Sequence, residues 1–301
     1  MARSTTIALD LEPRTGWLSL PARSFQFIKR WPIIPVSILS VLILSAIFAD
    51  QIAPHDPIKQ SLRDRNGPPV WAEGGSTKYL LGNDHVGRDI LSRIIHGSRI
   101  SLMVAGVGLA SGLLIGSTLG MLAGWYGGIL DELVTRVVDV WYALPFLLVA
   151  LVVVIVFGQS VQTLMVVLAM SAWAAFVRNV RAEVLTLKER DYVALAKVAG
   201  ASTPRMLMVH IFPGVLNTMV VIATLSVGGL ILTEATLSFL GAGIPAPTPA
   251  WGLMVAEGSD YLISAWWLSI MPAGAIFLTV MSLNFLGDWL RDRLDPRLRQ
   301  I

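Results

Sequence analysis

The chain has 301 residues, of which 54% are apolar and only 14% are charged, with a mean hydropathy of +0.67. Soluble domains carry about 25% charged residues, so this composition excludes an ordinary soluble protein. The absence of cysteine excludes disulfides, thiol catalysis and cysteine-ligated metal. The formal net charge of +3 comes without a clustered basic patch outside the predicted loops, which argues against nucleic-acid binding.

The apolar residues fall into six long runs, each of a length that crosses a bilayer as a helix. These runs are Ile33–Ala49, Ile100–Ala123, Val137–Phe157, Val161–Val177, Ile211–Leu232 and Trp266–Leu286. The sequence therefore predicts an all-α membrane protein with six transmembrane helices in a lipid bilayer.

Lysine and arginine mark the predicted cytoplasmic side, because short loops rich in these residues stay in the cytoplasm. Five lie before residue 31, six between 178 and 210 and four after 290, whereas 158–160 and 233–265 have none. Both termini are therefore predicted to be cytoplasmic. The predicted divisions are a cytoplasmic tail (1–30), a first transmembrane helix (31–50), an external loop (51–98), a core of five transmembrane helices (99–290) and a second cytoplasmic tail (291–301).

The stretch 82–102 follows a loop rich in proline and glycine and has the pattern of a short amphipathic helix. Its apolar residues recur on one face, while Asp89 and Arg93 are four residues apart and can pair on another. We predict a helix that lies on the outer membrane surface. Packing and interfacial ion pairs are favoured over a substrate site for its charged residues, which include Asp84, Arg88 and Asp89.

Glycine recurs at every fourth position along the second predicted span, a spacing that lets another helix backbone approach closely. Four residues of an ideal helix turn by about 400°, so the row drifts by about 40° per glycine. One helix cannot follow the whole row, and two helices are predicted to pack on it. Packing is favoured over a ligand site for these glycines, which are Gly108, Gly112, Gly116, Gly120 and Gly124.

Several charged residues lie at or near the ends of the predicted spans. Asp131, Glu132, Arg136 and Asp139 stand at the start of the third span, where ion pairs are favoured and Asp139 is expected to face the bundle interior. Pro145 predicts a kink in that span. Glu234, at the outer end of the fifth span, has no neighbouring lysine or arginine in the sequence. Asp139 and Glu234 are therefore candidates for a path or gate, and the alternative for Glu234 is a helix-end carboxylate that faces water or a partner subunit.

The longest polar interruption in the second half of the chain separates the fourth and fifth predicted spans. Residues 181–199 predict a helix, and Gly200 stands where a helix terminus favours a left-handed residue. Thr203 is a predicted N-cap, and Pro204 follows at the first helical position. A helix, a turn and a second helix between two spans predict a cytoplasmic docking surface.

This loop resembles the "EAA" loop of permease subunits in binding-protein-dependent ABC importers, which docks into a cleft on a cytoplasmic ATPase. The similar run begins at Tyr192 and ends with His-Ile-Phe-Pro213; only Ala196 of the Glu-Ala-Ala triplet matches, and Ala194 replaces the glutamate. The resemblance implies a set of ATPase-docking residues. They are Tyr192, Ala196, Gly200, Ala201, Ser202, Pro204 and Arg205.

Two further stretches resemble the peptide- and nickel-importing members of these permeases. Residues 82–102 are similar to their GTDxxGRDxxSRxxxGxRxSL segment, with Asn83 in place of threonine, and 233–252 to their EASLSFLGLG…PTPSWG segment. The resemblance implies a type I ABC importer permease fold, in the second or "C" type of two unlike permeases of the bacterial inner membrane. It also implies partners: a second permease, two ATPases that bind ATP and magnesium, and an external solute-binding protein.

No enzyme or nucleotide motif is present. The chain lacks GxxxxGK[ST], HExxH and GxSxG. Its four histidines are scattered in predicted loops or at span edges: His55, His85, His96 and His210. We therefore expect a transport subunit rather than an enzyme, with no catalytic residue, no metal and no cofactor of its own.

The predicted function is the import of di- or oligopeptides that the external protein delivers. A nickel-chelate permease of the same family and a carrier of glutathione-like peptides stay open as alternatives. A secondary transporter would need ionisable groups in the middle of its spans, and the six predicted spans have none there. A purely structural scaffold would not require the docking loop.

Overall fold

The computed structural model describes residues 32–294, and the fold within them is helical. These described residues contain no β-strand, and one isolated bridge joins Asn83 to Asp89. The helices of eight or more described residues are α1 (Ile33–Ile47), α2 (Ile90–Tyr126), α3 (Gly128–Ala143), α4 (Phe146–Phe157), α5 (Val161–Leu187), α6 (Asp191–Val198), α7 (Thr203–Phe239), α8 (Trp251–Ser259) and α9 (Trp267–Leu294). The predicted tail 1–30 and the end of the predicted tail 291–301 lie outside the described residues.

Four helices in the described part of the chain, α2, α5, α7 and α9, are long and apolar enough to cross a bilayer. The bent pair α3 and α4 adds a fifth span if the two are counted together. Helix α1 is apolar but has 15 residues, a length of about 22 Å against about 30 Å of hydrocarbon. The prediction of an all-α membrane protein is confirmed, whereas residues 32–294 do not by themselves establish six full spans.

The second span begins earlier than predicted. Helix α2 runs without a break from Ile90 for 37 residues, so the prediction of a separate surface helix over 82–102 is wrong. Asp89 caps the helix, since its carboxylate accepts a hydrogen bond from the backbone N–H of Ser92 at 3.0 Å. No proline follows within α2, so no residue in it removes a backbone donor and ends the helix at the membrane surface.

Pro145 breaks the third predicted span instead of kinking it. Helix α3 ends at Ala143, α4 begins at Phe146, and the two are bent by 83°. Proline has no N–H and disfavours helical backbone in the preceding residue. Leu144 accordingly adopts an extended conformation, with φ −86° and ψ 129°. The continuous kinked span predicted over 137–157 is therefore two helices.

The polar interruption after the fourth span is also divided differently. Helix α5 continues past its predicted end at Val177 as far as Leu187, and α6 covers only Asp191–Val198. A turn at 188–190 separates them, so the single helix predicted over 181–199 is wrong.

The turn after α6 leads directly into α7. Gly200 has a φ of +79°, the left-handed conformation predicted for it. Ser202 rather than Thr203 is the N-cap residue of α7, and Pro204 lies in the first turn. A π-helical turn at Met206–Ile211 precedes Pro213. Because Pro213 cannot donate to the preceding turn, the wider π turn accommodates it within a continuous helix.

The long helices pack around α5 and α7. Helix α7 contacts α5 and α9, and α2 packs against both α5 and α7. One buried core between α2, α5 and α7 includes Leu164, Leu168 and Leu230. A second, around Ile90 and Trp251, joins α1, α2, α8 and α9.

Candidate functional site

Residues 188–205, named the docking segment here, project from the end of the bundle where α5 stops and α7 begins. Beneath the segment, Val193 of α6 packs with Val184 of α5 and with Met206 and Ile211 of α7, and all four are at most 2% exposed. Burial of an apolar side chain of this size contributes about 1.5–3 kcal/mol. The segment is therefore fixed to two long helices and does not hang between them as a loose loop.

The turn at Gly200 has the hydrogen bonds of a Schellman motif. The N–H of Ala201 donates to the carbonyl of Ala196 at 3.1 Å, and the N–H of Gly200 donates to that of Lys197 at 3.1 Å. A Cβ atom built on Gly200 would meet nothing within 4 Å. Glycine is thus required by the backbone conformation and not by crowding.

The outer face of α6 is apolar. Tyr192, Leu195 and Val198 recur at three-residue intervals and are 45%, 69% and 87% exposed. They form a stripe, named the α6 stripe here, on the side of the helix away from Val193. A compact exposed apolar patch on a rigid element marks a protein-contact surface.

The predicted docking residues separate into two groups. Ser202, Pro204 and Arg205 are exposed, while Ala196 and Ala201 are half-buried and pack against the core beneath α6. The Tyr192 hydroxyl donates to the carbonyl of His210 at 3.4 Å. Leu195 and Val198 were not predicted as docking residues from the sequence. Their three-residue spacing from Tyr192 could have indicated an apolar stripe on one face of a helix.

Ion pairs fasten α3 to α5 near the docking segment. Asp131 accepts two hydrogen bonds from the Arg181 guanidinium, one of them at 2.6 Å from Nη2. Arg178 Nη2 lies 3.0 Å from Asp139 Oδ1, and the Asp139 side chain is 52% exposed. Glu132 and Arg136 form a looser pair at 3.8 Å. The favoured ion pairs are present, but Asp139 does not point into the interior of this chain's own bundle.

The predicted glycine row meets two helices. A Cβ atom on Gly108 would lie 2.5 Å from Leu230 of α7, whereas one on Gly112 would lie 2.5 Å from the Phe176 ring of α5. A Cβ atom on Gly116 or Gly120 would overlap backbone carbonyls of α5. The π turn at Gly112–Gly116 adds a residue to the turn, which offsets the drift and keeps the later glycines against α5.

At the opposite end of the bundle, two arginines and two carboxylates form a buried network. Arg88 lies 2.5 Å from Asp84 and 2.8 Å from Glu257, and Arg93 lies 3.2 Å from Glu257. The Arg93 side chain is fully buried. The favoured role of this stretch, packing through ion pairs, fits the geometry better than a substrate site does.

The predicted partner of Arg93 is different from the observed one. Asp89 does not pair with it, because its carboxylate caps α2 and lies 3.3 Å from Nδ1 of His55. Arg93 pairs instead with Glu257 of α8, which is far away in the sequence.

One trio in the same region has the composition of a metal site. Asp84, His85 and Glu257 place a ligand atom each within 4.8 Å of one another, the sole group of this kind among residues 32–294. Both carboxylates already pair with arginines. The positive charges of two buried guanidinium groups would repel a metal cation here. The cluster is therefore an ion-pair network and not a metal site.

Further polar contacts hold the segment around the loop between α1 and α2. Lys78 Nζ lies 3.2 Å from Asp64, and this contact holds the pKa of the Asp64 carboxyl below its usual value. Arg99 of α2 lies 2.8 Å from Asp50 and lowers the pKa of that carboxyl in the same way. These contacts make the loop part of the folded surface.

Glu234 lies inside α7 and is only 1% exposed. The helix extends beyond the predicted end of the span to Phe239, so this carboxylate is not a helix-end group facing water. The Ser238 hydroxyl donates to Glu234 Oε1 at 2.7 Å, and within residues 32–294 no ion pair reaches it. Buried carboxylates in membrane helices are costly, and they often have a functional role.

A family model described as "Binding-protein-dependent transport system inner membrane component" matches residues 116–300. The chain belongs to this family. The matched residues include α5, α7 and the docking segment between them, which carries the α6 stripe.

Curated relatives match over nearly the whole chain. The di/tripeptide transport system permease protein DppC of Pseudomonas aeruginosa (strain UCBPP-PA14) is 41% identical over 86% of each chain. The dipeptide transport system permease protein DppC of Haemophilus influenzae is 39% identical over 97% of this chain and 98% of the relative. That of Escherichia coli (strain K12) is 43% identical over 86% and 87%.

Family membership confirms the resemblance that the sequence motifs indicated. The chain is a multi-pass inner membrane protein and a permease subunit of an ABC importer, and the helical architecture fits the type I permease fold. Because the family consists of transport components, the expectation of a subunit that is not an enzyme is also confirmed.

Proposed function

We propose that the chain is one of two unlike permease subunits of an importer that moves di- or oligopeptides into the bacterial cytoplasm. An external solute-binding protein delivers the peptide, and two cytoplasmic ATPases bind ATP and magnesium. The relatives named for dipeptides and di/tripeptides support this substrate class. In this proposal both termini and the docking segment lie in the cytoplasm, as the lysine and arginine distribution favours.

The observation that carries the proposal is the α6 stripe on a helix anchored to two spans. The exposed face of Leu195 and Val198 suits an apolar cleft on a partner, while Val193 beneath ties the helix to α5 and α7. Movement of a bound ATPase then shifts both long helices together. Tilting of these helices opens the path alternately to each side of the membrane.

A single introduced thiol tests the docking role, because the chain has no cysteine of its own. Ser202→Cys places an exposed thiol beside the α6 stripe. We expect an impermeant thiol reagent to label it from the cytoplasmic side only, and bound ATPases to protect it. Trp71→Cys, at a 59% exposed site in the external loop, is the control and should be labelled from outside whether or not the ATPases are present.

Three outcomes contradict different parts of the proposal. Labelling of the Ser202→Cys thiol from outside would invert the topology. Labelling from inside that the ATPases never reduce would keep the topology and remove the docking role. Labelling of the Trp71→Cys thiol only from inside would also contradict the orientation.

A glutathione carrier is the second candidate. The glutathione transport system permease protein GsiD of Pectobacterium atrosepticum is 37% identical over 99% of this chain and 97% of the relative. Uptake of Ala-Ala and of glutathione by the same reconstituted transporter separates the two substrates.

A further inference from the structure

A groove of about 710 Å³ runs along α7 at the end of the bundle that carries the docking segment. Its floor is one stripe of α7, where Gly214, Asn217, Val221 and Leu225 recur at intervals of three and four residues. Helix α5 forms one wall and the end of α9 the other. The floor, which extends to Ser226, is about 18 Å long at 1.5 Å per residue.

Three charged side chains line this groove, and none of them has a side-chain partner in the described part of the chain. Glu183 stands on the α5 wall, Arg190 just beyond it, and Arg291 on the α9 wall. Within residues 32–294 none of these three side chains makes an ion pair or a hydrogen bond, whereas Asp131 and Asp139 of α3 pair with arginines of α5. Glu183 is half-buried and the two arginines are exposed.

A groove of this composition does not suit contact with lipid. Hydrocarbon cannot satisfy Asn217 or Thr218 on the floor, nor a carboxylate on the wall, and each unsatisfied group is costly there. The groove therefore lines water or is covered by another protein surface. A path formed between two permeases meets both conditions.

We propose that this groove is the part of the peptide path contributed by this chain, and that its unpaired charges bind the two peptide termini. Glu183 binds the α-ammonium group, and Arg190 with Arg291 binds the α-carboxylate. The inference rests on the proposed function. To that function it adds the residues that bind the peptide and the charges that recognise its termini, neither of which the family match identifies.

The groove is long enough for a short peptide. Glu183 lies on the last turns of α5, and Arg190 lies in the turn that follows the end of that helix at Leu187. The floor beside them is about 18 Å long at helical rise. An extended peptide of two or three residues spans about 7–11 Å. Since the floor between the charges is made of small, apolar and uncharged polar residues, side chains of different kinds fit it, and only the termini are recognised by charge.

Binding of blocked peptides tests the inference. The complete transporter, assembled with its second permease and ATPases, is examined without ATP and without the binding protein, using radiolabelled Ala-Ala in equilibrium dialysis. Because the binding protein is left out, the bound peptide is held by the transporter itself. Loss of a hydrogen-bonded charge pair should weaken binding about tenfold or more.

The variants separate the two termini. Glu183→Gln should weaken binding of Ala-Ala but leave binding of N-acetyl-Ala-Ala unchanged, since that probe has no ammonium group. Arg190→Gln combined with Arg291→Gln should weaken Ala-Ala but not Ala-Ala-amide. Glu132→Gln and Arg136→Gln, outside the groove and the docking segment, are matched controls and should bind all three probes like the wild type.

Each contrary outcome has a distinct meaning. Equal weakening of Ala-Ala and N-acetyl-Ala-Ala by Glu183→Gln would overturn the assignment of termini. If the wild-type complex takes up Ala-Ala from its binding protein but its groove variants bind like wild type, the groove is not the site and the proposed function stands. If the wild-type complex with its binding protein neither binds nor imports peptides, the proposed function fails and the inference fails with it.

Discussion

Gly116 and Gly106 both lie on α2, but an added methyl group would meet different surroundings at each. At Gly116 it would overlap the backbone of α5 at Trp173, whereas at Gly106 nothing lies within 4 Å. We expect Gly116→Ala to lower the free energy of unfolding by about 1–3 kcal/mol, because the two helices must separate. Gly106→Ala should be neutral or stabilise the helix by about 0.5–1 kcal/mol. Thermal unfolding in detergent measures both.

Equal melting temperatures for the two alanine variants would show that α2 and α5 are not held in this close contact. Assembly of the Gly116→Ala variant with the second permease is measured separately. A variant that is only destabilised should still assemble at low temperature.

Arg93 and Arg136 provide a second comparison between single residues. Arg93 is fully buried and pairs with Glu257, while Arg136 is 74% exposed and pairs loosely with Glu132. Arg93→Met leaves the buried Asp84 and the half-buried Glu257 with one arginine, and we expect it to cost about 3–5 kcal/mol of stability. Arg136→Met should cost about 0–1 kcal/mol. A similar small loss for both in chemical unfolding would contradict the importance of the buried network.

At the scale of elements, the docking segment depends on the turn at Gly200. A side chain at Gly200 would meet no neighbouring atom. The expected loss of stability on substitution therefore comes only from the backbone conformation, which has a φ of +79°. Gly200→Ala should cost about 1–2 kcal/mol locally, and Gly200→Val more, since a β-branched residue is strained at positive φ. Ala199→Val, one residue earlier at φ −69°, is the control and should couple normally. ATP-driven uptake in proteoliposomes measures coupling, and the order Val worse than Ala is the expected result; equal uptake by both would contradict it.

The α6 stripe is also testable as an element. Leu195→Ser with Val198→Ser removes exposed apolar surface, so the chain should fold and insert normally. Affinity for the ATPases should fall about tenfold or more if the two side chains are central contacts. Ala194→Ser, at an exposed position of the same helix, is the control. Unchanged affinity of the double variant would show that the ATPases bind elsewhere.

At the scale of the whole molecule, the chain carries a docking surface and an uncovered groove but no phosphate-binding loop. We expect the purified chain to hydrolyse no ATP, and the assembled transporter to hydrolyse ATP faster when the loaded binding protein is added. A steady-state phosphate-release assay on the single chain and on the complex measures this. Hydrolysis by the single chain at a rate comparable to the complex would contradict its role as a transport subunit.

The parts of the fold that follow from local chemistry could be predicted from the sequence. The apolar runs identified most of the span helices, Gly200 indicated a left-handed turn, and motifs in chain order indicated the permease family. Boundaries were less predictable. The surface helix proposed over 82–102 merged into α2, because nothing after Asp89 stops the helix.

The sequence alone determined a helical membrane protein of this transport family, since hydrophobic length and backbone preferences act on neighbouring residues. Only the tertiary structure decided which distant residues meet. Arg88 and Glu257 are separated by 169 residues, yet they pair because α8 packs beside the start of α2. Likewise, Glu183 and Arg291 face one groove because α5 and α9 lie on either side of α7. Many charged residues in the chain have similar sequence neighbours, and the packing of the helices decides which of them form pairs. A single sequence does not reveal that packing.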